Sequence, residues 1–215
     1  MANDGRTPAP PDGAVLLTGA TGFVGSQVLA RYLEGSPRRV YALVRPGEEA
    51  DASARLDATI AATFGRDHPY AGRVEAVAGD LERPGLGLDP QRAEYLAGEI
   101  GDIVHCAASV SLSMSLEDSR RVNVGGTAAV LELARRCHEG GRLRCLTYVS
   151  TTYVSGAFSG TFGEGDLDVG QEFRNGYEQS KFEAEKLVRD CGLPAQIVRP
   201  SIVVGEREIG WTSSF

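Results

Sequence analysis

The segment Y-E-Q-S-K places Tyr177 and Lys181 four residues apart, and therefore on the same face of a helix. A free tyrosine has a pKa of about 10, and a neighbouring ammonium group favours the phenolate. We therefore expect Lys181 to tune the Tyr177 hydroxyl toward proton donation near neutral pH, which is general acid chemistry. Because this spacing is common by chance, the interpretation depends on the elements that position the two side chains.

Hydroxyl side chains cluster at the end of an apolar run that precedes this pair, in T-Y-V-S-T-T-Y at residues 147–153. A hydroxyl at the carboxyl end of such a strand would hold a substrate carbonyl oxygen beside Tyr177, in the manner of an oxyanion hole. The pattern leaves open which hydroxyl takes that role. Asn123, in R-V-N-V-G-G-T, either bridges backbone and water near Lys181 or satisfies the core. His105 is expected to be packed inside a strand.

Three glycines follow the first apolar run, where Gly19, Gly22 and Gly25 have the spacing G-x-x-G-x-x-G. Glycine is needed where a turn demands positive φ, where the backbone approaches a pyrophosphate, and where a helix packs closely on a strand. The helix that follows would offer unpaired N–H groups and the positive end of its dipole to phosphates. Because the glycines lie between a predicted strand and a predicted helix, they indicate a dinucleotide-binding loop.

The end of the second predicted strand, V-Y-A-L-V, discriminates between two dinucleotides. An acidic residue there would bind the ribose 2′-hydroxyl of NAD, whereas an arginine accommodates the 2′-phosphate of NADP. Here Arg45 ends the strand and no acidic residue occurs until Glu48. The sequence therefore favours NADP(H), with a solvated arginine as the alternative. Asp80, at the end of the third strand, either lies near the adenine or is a turn residue.

Short apolar runs alternate with helical segments, which predicts a parallel sheet covered by helices on both faces. The predicted strands are Ala14–Thr18, Val40–Val44, Val74–Ala78, Ile103–Cys106, Leu143–Ser150 and Gln196–Arg199. Helices are predicted from about Gly22 to Gly35, from Asp51–Ser53 onward, from Pro90 to near Gly98, through Val124 to Gly140, and over Tyr177–Arg189. The fold class is therefore a doubly wound, parallel, Rossmann-type α/β sheet. The loop over 156–176 is long enough to suggest function.

The chain has 215 residues, of which 42% are hydrophobic and 24% charged, as in an ordinary globular domain. Its net charge of −7 gives no general attraction to nucleic acid or anionic membranes, and no apolar run approaches the ~20 residues that cross a bilayer. Four dispersed cysteines without metal-ligand spacing predict no metal site and a cytoplasmic location. We expect residues 1–12 to be a disordered leader and residues 13–215 to be an NADP-binding domain that stops before its substrate-binding region.

Seven motifs occur together and in order: T-G-A-T-G-F-V-G, G-D-L, H-C-A-A, N-V-G-G-T, V-S-T-T-Y-V-S-G, Y-E-Q-S-K and R-P-S-I-V-V-G. Over about residues 14–212 they resemble the extended short-chain dehydrogenase/reductases. Finer features resemble the fatty acyl-CoA reductases and the thioester-reductase domains of carboxylic acid reductases and peptide synthetases, the male sterility-type NAD-binding family. Those features are L-V-R after the second strand, the helical insert with Arg55-Leu56, G-D-L-E-R-P-G-L-G-L-D and S-T-T-Y-V-S-G.

By this resemblance, Thr151 takes the catalytic hydroxyl position, and Tyr177 and Lys181 form the catalytic dyad. Asn123 becomes the supporting amide. The resemblance assigns cofactor contacts to Gly19, Thr21, Gly22, Phe23, Val24, Gly25, Arg45, Asp80, Leu81, Ala107, Lys181 and Pro200. It implies hydride transfer from NADPH to an acyl thioester, carried by CoA or a phosphopantetheine carrier protein, to give an aldehyde or an alcohol. It also implies a substrate pocket formed mostly by later residues than these.

Two kinds of alternative share the predicted fold. Another extended short-chain reductase, or a nucleotide-sugar epimerase or dehydratase, would keep the dyad. An epimerase, however, holds NAD through an acidic residue at the position of Arg45. A non-catalytic dinucleotide-binding sensor usually lacks the tyrosine or the lysine, and both are present here. The motifs specify neither the acyl group nor an oligomeric state.

Overall fold

The computed structural model of this chain describes residues 12–47, 51–70 and 72–204. Its strands are β1 Ala14–Thr18, β2 Val40–Val44, β3 Val74–Ala78, β4 Ile100–His105, β5 Cys145–Val149 and β6 Ala195–Val198. They form one parallel sheet of six strands in the order β3-β2-β1-β4-β5-β6. The chain builds outward from β1 on one side and then on the other, which confirms the doubly wound prediction. In such sheets ligands bind at the carboxyl ends of the strands, where the order reverses.

Helices cover both faces of this sheet. They are α1 Phe23–Gly35, α2 Ala52–Phe64, α3 Pro90–Glu99, α4 Leu116–Arg120, α5 Gly126–Glu139 and α6 Gly176–Arg189. Several begin at side-chain caps that the sequence suggests: Asp51 accepts from the Ala54 N–H at 2.7 Å, and Asp89 accepts from the Arg92 N–H at 2.9 Å. Such caps satisfy N–H groups that a helix leaves unpaired at its start.

The apolar side chains form two cores, one on each face of the sheet. Leu16 belongs to the core beneath α3, α5 and α6, together with Leu96 and Val130. The next strand residue, Leu17, points to the opposite face and packs with Leu29 of α1. This alternation follows from the two-residue repeat of a strand, and it fixes α1 and α6 on opposite sides of the sheet.

A buried ionic cluster ties the amino ends of the strands together. The Arg38 guanidinium pairs with Asp102 and also donates to the carbonyl of Gly13 at 2.8 Å. Arg144 bridges Asp102 and Asp12, with both nitrogen–oxygen distances at 2.7 Å. This cluster lies at the edge of the sheet opposite to the predicted site, so its role is to hold the fold.

That cluster explains why β4 was predicted too short. The strand begins at Ile100 and ends at His105, whereas the sequence predicts Ile103–Cys106. Gly101 and Asp102 interrupt the apolar run and therefore hide the start of the strand. Asp102 can be buried within the strand because two arginines from distant parts of the chain pair with its carboxylate.

Other predicted elements also differ from the structure, and β6 lies one residue earlier than the predicted Gln196–Arg199. β5 is shorter than Leu143–Ser150, because the N–H of Leu143 donates to the Cys137 carbonyl at the end of α5 instead of joining the ladder. The single helix predicted through Val124 is divided in the structure. A π-helical turn over Arg121–Gly125 joins α4 to α5, and two 3₁₀ turns, Pro84–Gly87 and Thr152–Ser155, follow β3 and β5.

The predicted leader, residues 1–12, lies outside the described residues except for Asp12, and the same holds for residues 205–215 of the predicted domain. Within the part of the chain that the structure describes, no helix is long and apolar enough to cross a membrane. The same residues contain no group of three or more His, Cys, Asp or Glu side chains that could hold a metal ion.

Candidate active site

The glycine-rich loop between β1 and α1 is held so closely that side chains have no room. Gly19 has a φ of +75°, and a Cβ added there would lie 2.8 Å from the backbone nitrogen of Ala107. A Cβ at Gly25 would lie 2.0 Å from the Gly19 carbonyl oxygen. The loop closes with a hydrogen bond from the Gly22 N–H to that same carbonyl at 2.9 Å. Gly19 and Gly25 therefore have a steric reason to be present, whereas a Cβ at Gly22 would come no closer than 3.3 Å to the Gly19 carbonyl oxygen.

The start of α1 is suited to an anion. Gly22 precedes the helix and offers no side-chain cap, so the first turn presents backbone N–H groups and the positive end of the helix dipole. Thr21 is half-buried in the same loop, and Phe23 and Val24 are the first helical residues. A bare backbone ahead of an uncapped helix fits the pyrophosphate of a dinucleotide.

Arg45 and Asp80 follow neighbouring strands, β2 and β3, on the same side of this loop. The Arg45 side chain is 64% exposed and lies 3.6 Å from Glu82, a distance that gives only a weak surface ion pair. Asp80 turns the chain by accepting from the Glu82 N–H at 3.0 Å. Leu81 packs on Gly126 of α5, because a Cβ added at Gly126 would lie 2.9 Å from the Cβ of Leu81. The G-D-L and N-V-G-G-T motifs therefore meet.

A cavity of about 600 Å³ lies on the outer side of α1. Phe23 and Val24 contribute to its wall, together with Val203 and Val204 from the segment after β6. None of the residues that line it belongs to the tyrosine–lysine pair. The cavity therefore adjoins the predicted cofactor loop but is separate from the residues expected to do chemistry.

Thr151 and Tyr177 come together where β5 and α6 meet. Thr151 is buried at 3% exposure and caps the 3₁₀ turn that follows β5, accepting from the Tyr153 N–H at 3.2 Å. Burial raises the pKa of Tyr177, and a hydrogen bond involving the Thr151 hydroxyl acts in the opposite direction. Among the competing hydroxyls of this segment, Thr151 is the one whose side chain hydrogen-bonds Tyr177, and Tyr153 is also close enough to affect the pKa of Tyr177.

The pKa of Tyr177 differs from the expectation. The sequence predicted that Lys181 would lower it, but burial raises it, and Lys181 is not among the groups that affect it. The Lys181 ammonium instead donates to the Val149 carbonyl at 2.8 Å and lies 4.2 Å from the centre of the Tyr148 ring. Burial lowers the pKa of Lys181 to about 7. The tyrosine is therefore a protonated phenol at neutral pH, which is the form a proton donor needs.

Asn123 lies in the π-helical turn and is 2% exposed. Its side-chain oxygen accepts from the Ser109 N–H at 2.8 Å, and its amide nitrogen donates to the Ser109 carbonyl at 3.0 Å and the Ser180 hydroxyl at 2.9 Å. Ser180 in turn donates to the Tyr177 carbonyl at 3.0 Å. Asn123 thus links the loop after β4 to the helix of the tyrosine–lysine pair, and π-helical turns frequently occur at functional sites.

His105 is a packed core residue, as its position in a strand suggested. It hydrogen-bonds Thr18 at 2.7 Å through Nδ1 and Thr127 at 3.1 Å through Nε2. Burial lowers its pKa to about 3, so the ring is neutral. Thr18 also accepts from the Ala107 N–H at 3.1 Å, which ties β1 to the end of β4 beside the glycine-rich loop.

The remaining predicted contact, Pro200, follows β6. Its carbonyl accepts from the Thr152 N–H at 3.0 Å, so the strand pairing continues past Thr151. Sequence reasoning did not predict the roles of Ser109 and Ser180. Ser180 had a usable signal, because it stands three residues after Tyr177 on the same helix, whereas Ser109 contributes only backbone groups and gave none.

A glycine-rich loop after the first strand and a tyrosine–lysine pair on one helix, on one doubly wound sheet, are the features of the extended short-chain dehydrogenase/reductase class, whose cofactor is a nicotinamide dinucleotide. The profile of the family described as male sterility protein matches residues 17–215. The chain belongs to this family.

Curated relatives are much longer than this chain. N-benzoylphenylalaninol synthetase apmA of Penicillium brevicompactum is 34% identical over 98% of the chain, which corresponds to 9% of that protein. The carboxylic acid reductase of Mycobacterium tuberculosis (strain ATCC 25618 / H37Rv) is 32% identical over 89% of the chain, or 18% of that protein. The chain therefore spans less than a fifth of either relative.

Solved structures of reductase domains share the fold. The terminal R domain from the myxalamid PKS-NRPS biosynthetic pathway matches with a TM-score of 0.80 and 35% identity, over 90% of this chain and 50% of that one. The thiolation-reductase di-domain from an archaeal non-ribosomal peptide synthetase matches with a TM-score of 0.74 and 26% identity, over 90% of this chain and 42% of that one. The chain corresponds to about half of these domains or less.

Proposed function

We propose that this chain is the NADPH-binding part of a reductase that acts on an acyl thioester and releases an aldehyde or an alcohol. The observation that carries the proposal is the contact of Thr151 with Tyr177 at the carboxyl edge of a sheet whose first loop fits a dinucleotide. The similar proteins support the substrate class, because their names describe a carboxylic acid reductase and peptide-synthetase reductase domains.

The side chains of this edge divide the work on a thioester carbonyl. The bound nicotinamide would supply the hydride. Tyr177, which burial keeps protonated, would donate its proton to the carbonyl oxygen. Thr151 would supply a second hydroxyl that holds this oxygen. Addition of this hydride and proton converts the thioester to a hemithioacetal. Its carbon–sulfur bond then breaks while the hydroxyl proton passes to sulfur, which releases the thiol and an aldehyde. An alcohol would require a second NADPH and a second proton. Lys181 is expected to bind the nicotinamide ribose, as the family resemblance implies.

The preference for NADPH over NADH is proposed from Arg45. Its guanidinium is exposed and only loosely paired with Glu82, so it is free to bind a 2′-phosphate at the end of β2. Charge-assisted hydrogen bonds of this kind contribute ~1.5–3 kcal/mol. Arg45→Ala should therefore weaken NADPH binding by about 10- to 150-fold and leave NADH binding unchanged, as measured by cofactor fluorescence.

Arg121→Ala is the matched control for that measurement, because Arg121 also pairs with Glu82 but does not follow β2. NADPH binding to the control should stay within about two-fold of wild type, the scatter expected for a surface ion pair. If Arg45→Ala weakens the binding of NADPH and NADH equally, or if the wild-type protein binds NADH more tightly than NADPH, the NADPH assignment is wrong.

The thioester carrier is proposed to be CoA or a phosphopantetheine carrier protein. One similar structure joins a thiolation domain to its reductase domain, which supports a carrier-bound substrate.

The four cysteines are free thiols, which agrees with the proposed cytoplasmic location.

The decisive experiment offers NADPH and a panel of acyl-CoAs, acyl carrier proteins and nucleotide sugars to the full-length protein. Thioesters should give aldehyde or alcohol together with one free thiol per acyl group. Turnover of nucleotide sugars alone would replace the proposal with an epimerase or dehydratase. Cofactor binding without turnover of any substrate would indicate a dinucleotide-binding sensor.

A further inference from the structure

A fully buried carboxylate lies behind the active site without a part in the proposed chemistry. Glu185 is on α6, four residues after Lys181 and eight after Tyr177, and its exposure is 0%. Its Oε2 accepts from the Ser150 hydroxyl at 2.6 Å and from Arg199 Nε at 3.1 Å, and its Oε1 accepts from Arg199 Nη2 at 2.7 Å. Arg189 adds a bond from Nε to Oε1 at 3.1 Å.

Each element joined by this carboxylate carries a predicted site residue directly beside the contact. Ser150 precedes Thr151, and Arg199 precedes Pro200. The backbone repeats the same connection, because the Ser150 N–H donates to the Val198 carbonyl at 2.7 Å. One carboxylate therefore joins the end of β5, the end of β6 and the helix that carries Tyr177.

The two arginines extend the connection to the long loop after β5. Arg199 donates to the carbonyls of Gly163 and Asp166, at 3.1 and 2.5 Å, and its guanidinium lies 5.2 Å from the centre of the Phe162 ring. Arg189 donates to the carbonyls of residues 164, 165 and 166. Glu185 thus orients the cations that hold this loop against α6.

We infer that Glu185 is a positioning residue for the reaction, which fixes Thr151 against Tyr177 by holding β5, β6 and α6 in one arrangement. The inference rests on the proposed function, since it concerns the same site. A fork of two hydrogen bonds from an arginine fixes direction as well as distance, and displacement of a reacting group by about 1 Å can cost 100-fold in rate.

Stability alone does not account for this arrangement. Buried ion pairs often contribute no more to folding than apolar side chains of the same volume. Burial on its own would raise the pKa of Glu185, but the hydrogen bonds from Arg199 and Ser150, together with the positive charges of Arg199 and Arg189, outweigh burial and lower the pKa. The carboxylate is therefore ionised and holds three directed partners at once, which an apolar side chain cannot do.

Two variants and a matched control test the inference in the full-length protein. Glu185→Gln keeps the size of the side chain and removes its charge. Ser150→Ala leaves the ion pair with Arg199 intact and removes only the bond beside Thr151. Arg189→Gln is the control, because Arg189 binds the same carboxylate but is not adjacent to a predicted site residue. Thermal unfolding of all three shows how much of each effect is loss of folded protein.

The expected result is a loss of kcat that folding does not explain. Glu185→Gln should lower kcat on an acyl thioester by about 10- to 100-fold, and Ser150→Ala by about 3- to 10-fold, with the NADPH Kd within two-fold of wild type. The kcat of Arg189→Gln should stay within about two-fold of the wild-type value. If Ser150→Ala retains wild-type kcat, or if the folded Glu185→Gln protein matches the control, the inference is overturned.

A second readout does not depend on the substrate. The ¹³Cζ resonance of Tyr177, assigned by its absence from Tyr177→Phe, reports the contact with the Thr151 hydroxyl. The chemical shift of this resonance should change in Glu185→Gln and Ser150→Ala and should remain at its wild-type value in Arg189→Gln. A wild-type protein that reduces no thioester contradicts the proposed function, whereas an unmoved resonance in both variants contradicts the positioning role.

Discussion

The two halves of the sheet's carboxyl edge are built in different ways. After β1, β2 and β3 the predicted contacts are backbone groups of a glycine-rich loop and an arginine whose side chain is 64% exposed. After β4, β5 and β6, Tyr177 is half-buried and three further predicted side chains are almost completely buried: Asn123 at 2% exposure, and Thr151 and Lys181 at 3%. Every one of these has a named hydrogen-bond partner.

The difference follows from what each half has to do. A dinucleotide that arrives from solution needs open N–H donors and an accessible cation, and backbone donors require no side-chain ordering. A proton donor needs a fixed direction toward one oxygen, which packed and fully bonded side chains provide. Substitutions in the first half should therefore change cofactor binding, and substitutions of Thr151 and Tyr177 in the second half should change turnover.

Tyr177→Phe should give the largest effect and the clearest test of that division. Loss of the proton donor should lower kcat by roughly 10²–10⁴-fold, while the NADPH Kd stays within two-fold because the phenol faces the substrate. Tyr153→Phe is the control, since that side chain follows Thr151 but is partly exposed at 37%. Turnover of Tyr177→Phe within a few-fold of wild type would show that another group donates the proton.

Lys181 makes the second half sensitive to pH. Burial lowers its pKa from 10.5 to about 7, so between these values the unfolded chain holds a proton that the folded chain lacks. Stability should therefore rise with pH across this window, by at most ~1.4 kcal/mol per pH unit. Lys181→Met should remove that rise.

Urea unfolding of both proteins at pH 6, 7, 8 and 9 measures this difference. The buried thiol of Cys137, whose pKa burial raises, is present in both proteins, so its contribution cancels. The Cys106 thiol, whose pKa burial raises and Lys181 lowers, forms part of the difference that Lys181→Met measures. Parallel stability curves for wild type and Lys181→Met between pH 7 and 9 would mean that Lys181 stays charged in the folded state.

Gly25→Ala tests the first half. The added Cβ would lie 2.0 Å from the Gly19 carbonyl oxygen, so α1 has to move away from the loop. Overpacking of this kind costs ~1–3 kcal/mol, and NADPH affinity should fall with it. Gly35→Ala, at the other end of the same helix and with open space around it, should bind NADPH like wild type. Wild-type NADPH affinity in Gly25→Ala would show that this loop does not bind the cofactor.

Tyr148→Phe should have the smallest effect. The Tyr148 hydroxyl is buried and, among the described residues, lies near Thr127 without forming a well-oriented hydrogen bond. Its removal should leave stability unchanged or raise it by up to ~1 kcal/mol, and the ring that faces Lys181 remains. Tyr148→Leu removes this ring and its cation–π contact, and should cost more in chemical unfolding. An equal loss of stability in Tyr148→Phe and Tyr148→Leu would show that the Tyr148 hydroxyl stabilises the fold.

Local signals in the sequence predicted much of this molecule. The strands β1, β2 and β3 have their predicted bounds, because each is an uninterrupted apolar run between turn residues. The starts of the helices near Asp51 and Pro90 and the helical spacing of Tyr177 and Lys181 were equally local. All of these depend on residues within a few positions of each other.

Features that depend on distant partners could not be predicted in this way. The burial of Asp102 requires Arg38, which is 64 residues away, and the partner Ser150 of Glu185 is 35 residues away. The rise in the pKa of Tyr177 is also a tertiary effect, since burial outweighs any influence of neighbours on its own helix. Helical spacing predicts that Tyr177 and Lys181 share a helix face, and packing determines the direction in which the pKa of Tyr177 shifts.

The π-helical turn at Arg121–Gly125 makes this stretch respond differently to lost and to added residues. A π turn closes with i→i+5 hydrogen bonds and so holds one residue more than an α-helical turn, and a deletion of one residue would close it into regular helix. An added residue would instead rotate α4 by about 100° around the axis of α5. α4 lies so close to α6 that a Cβ on Gly176, one position before Tyr177, would be 2.9 Å from the Leu116 Cα. A single-residue insertion would therefore disturb Tyr177 from the far end of a helix, whereas a deletion would leave the phase of α4 unchanged.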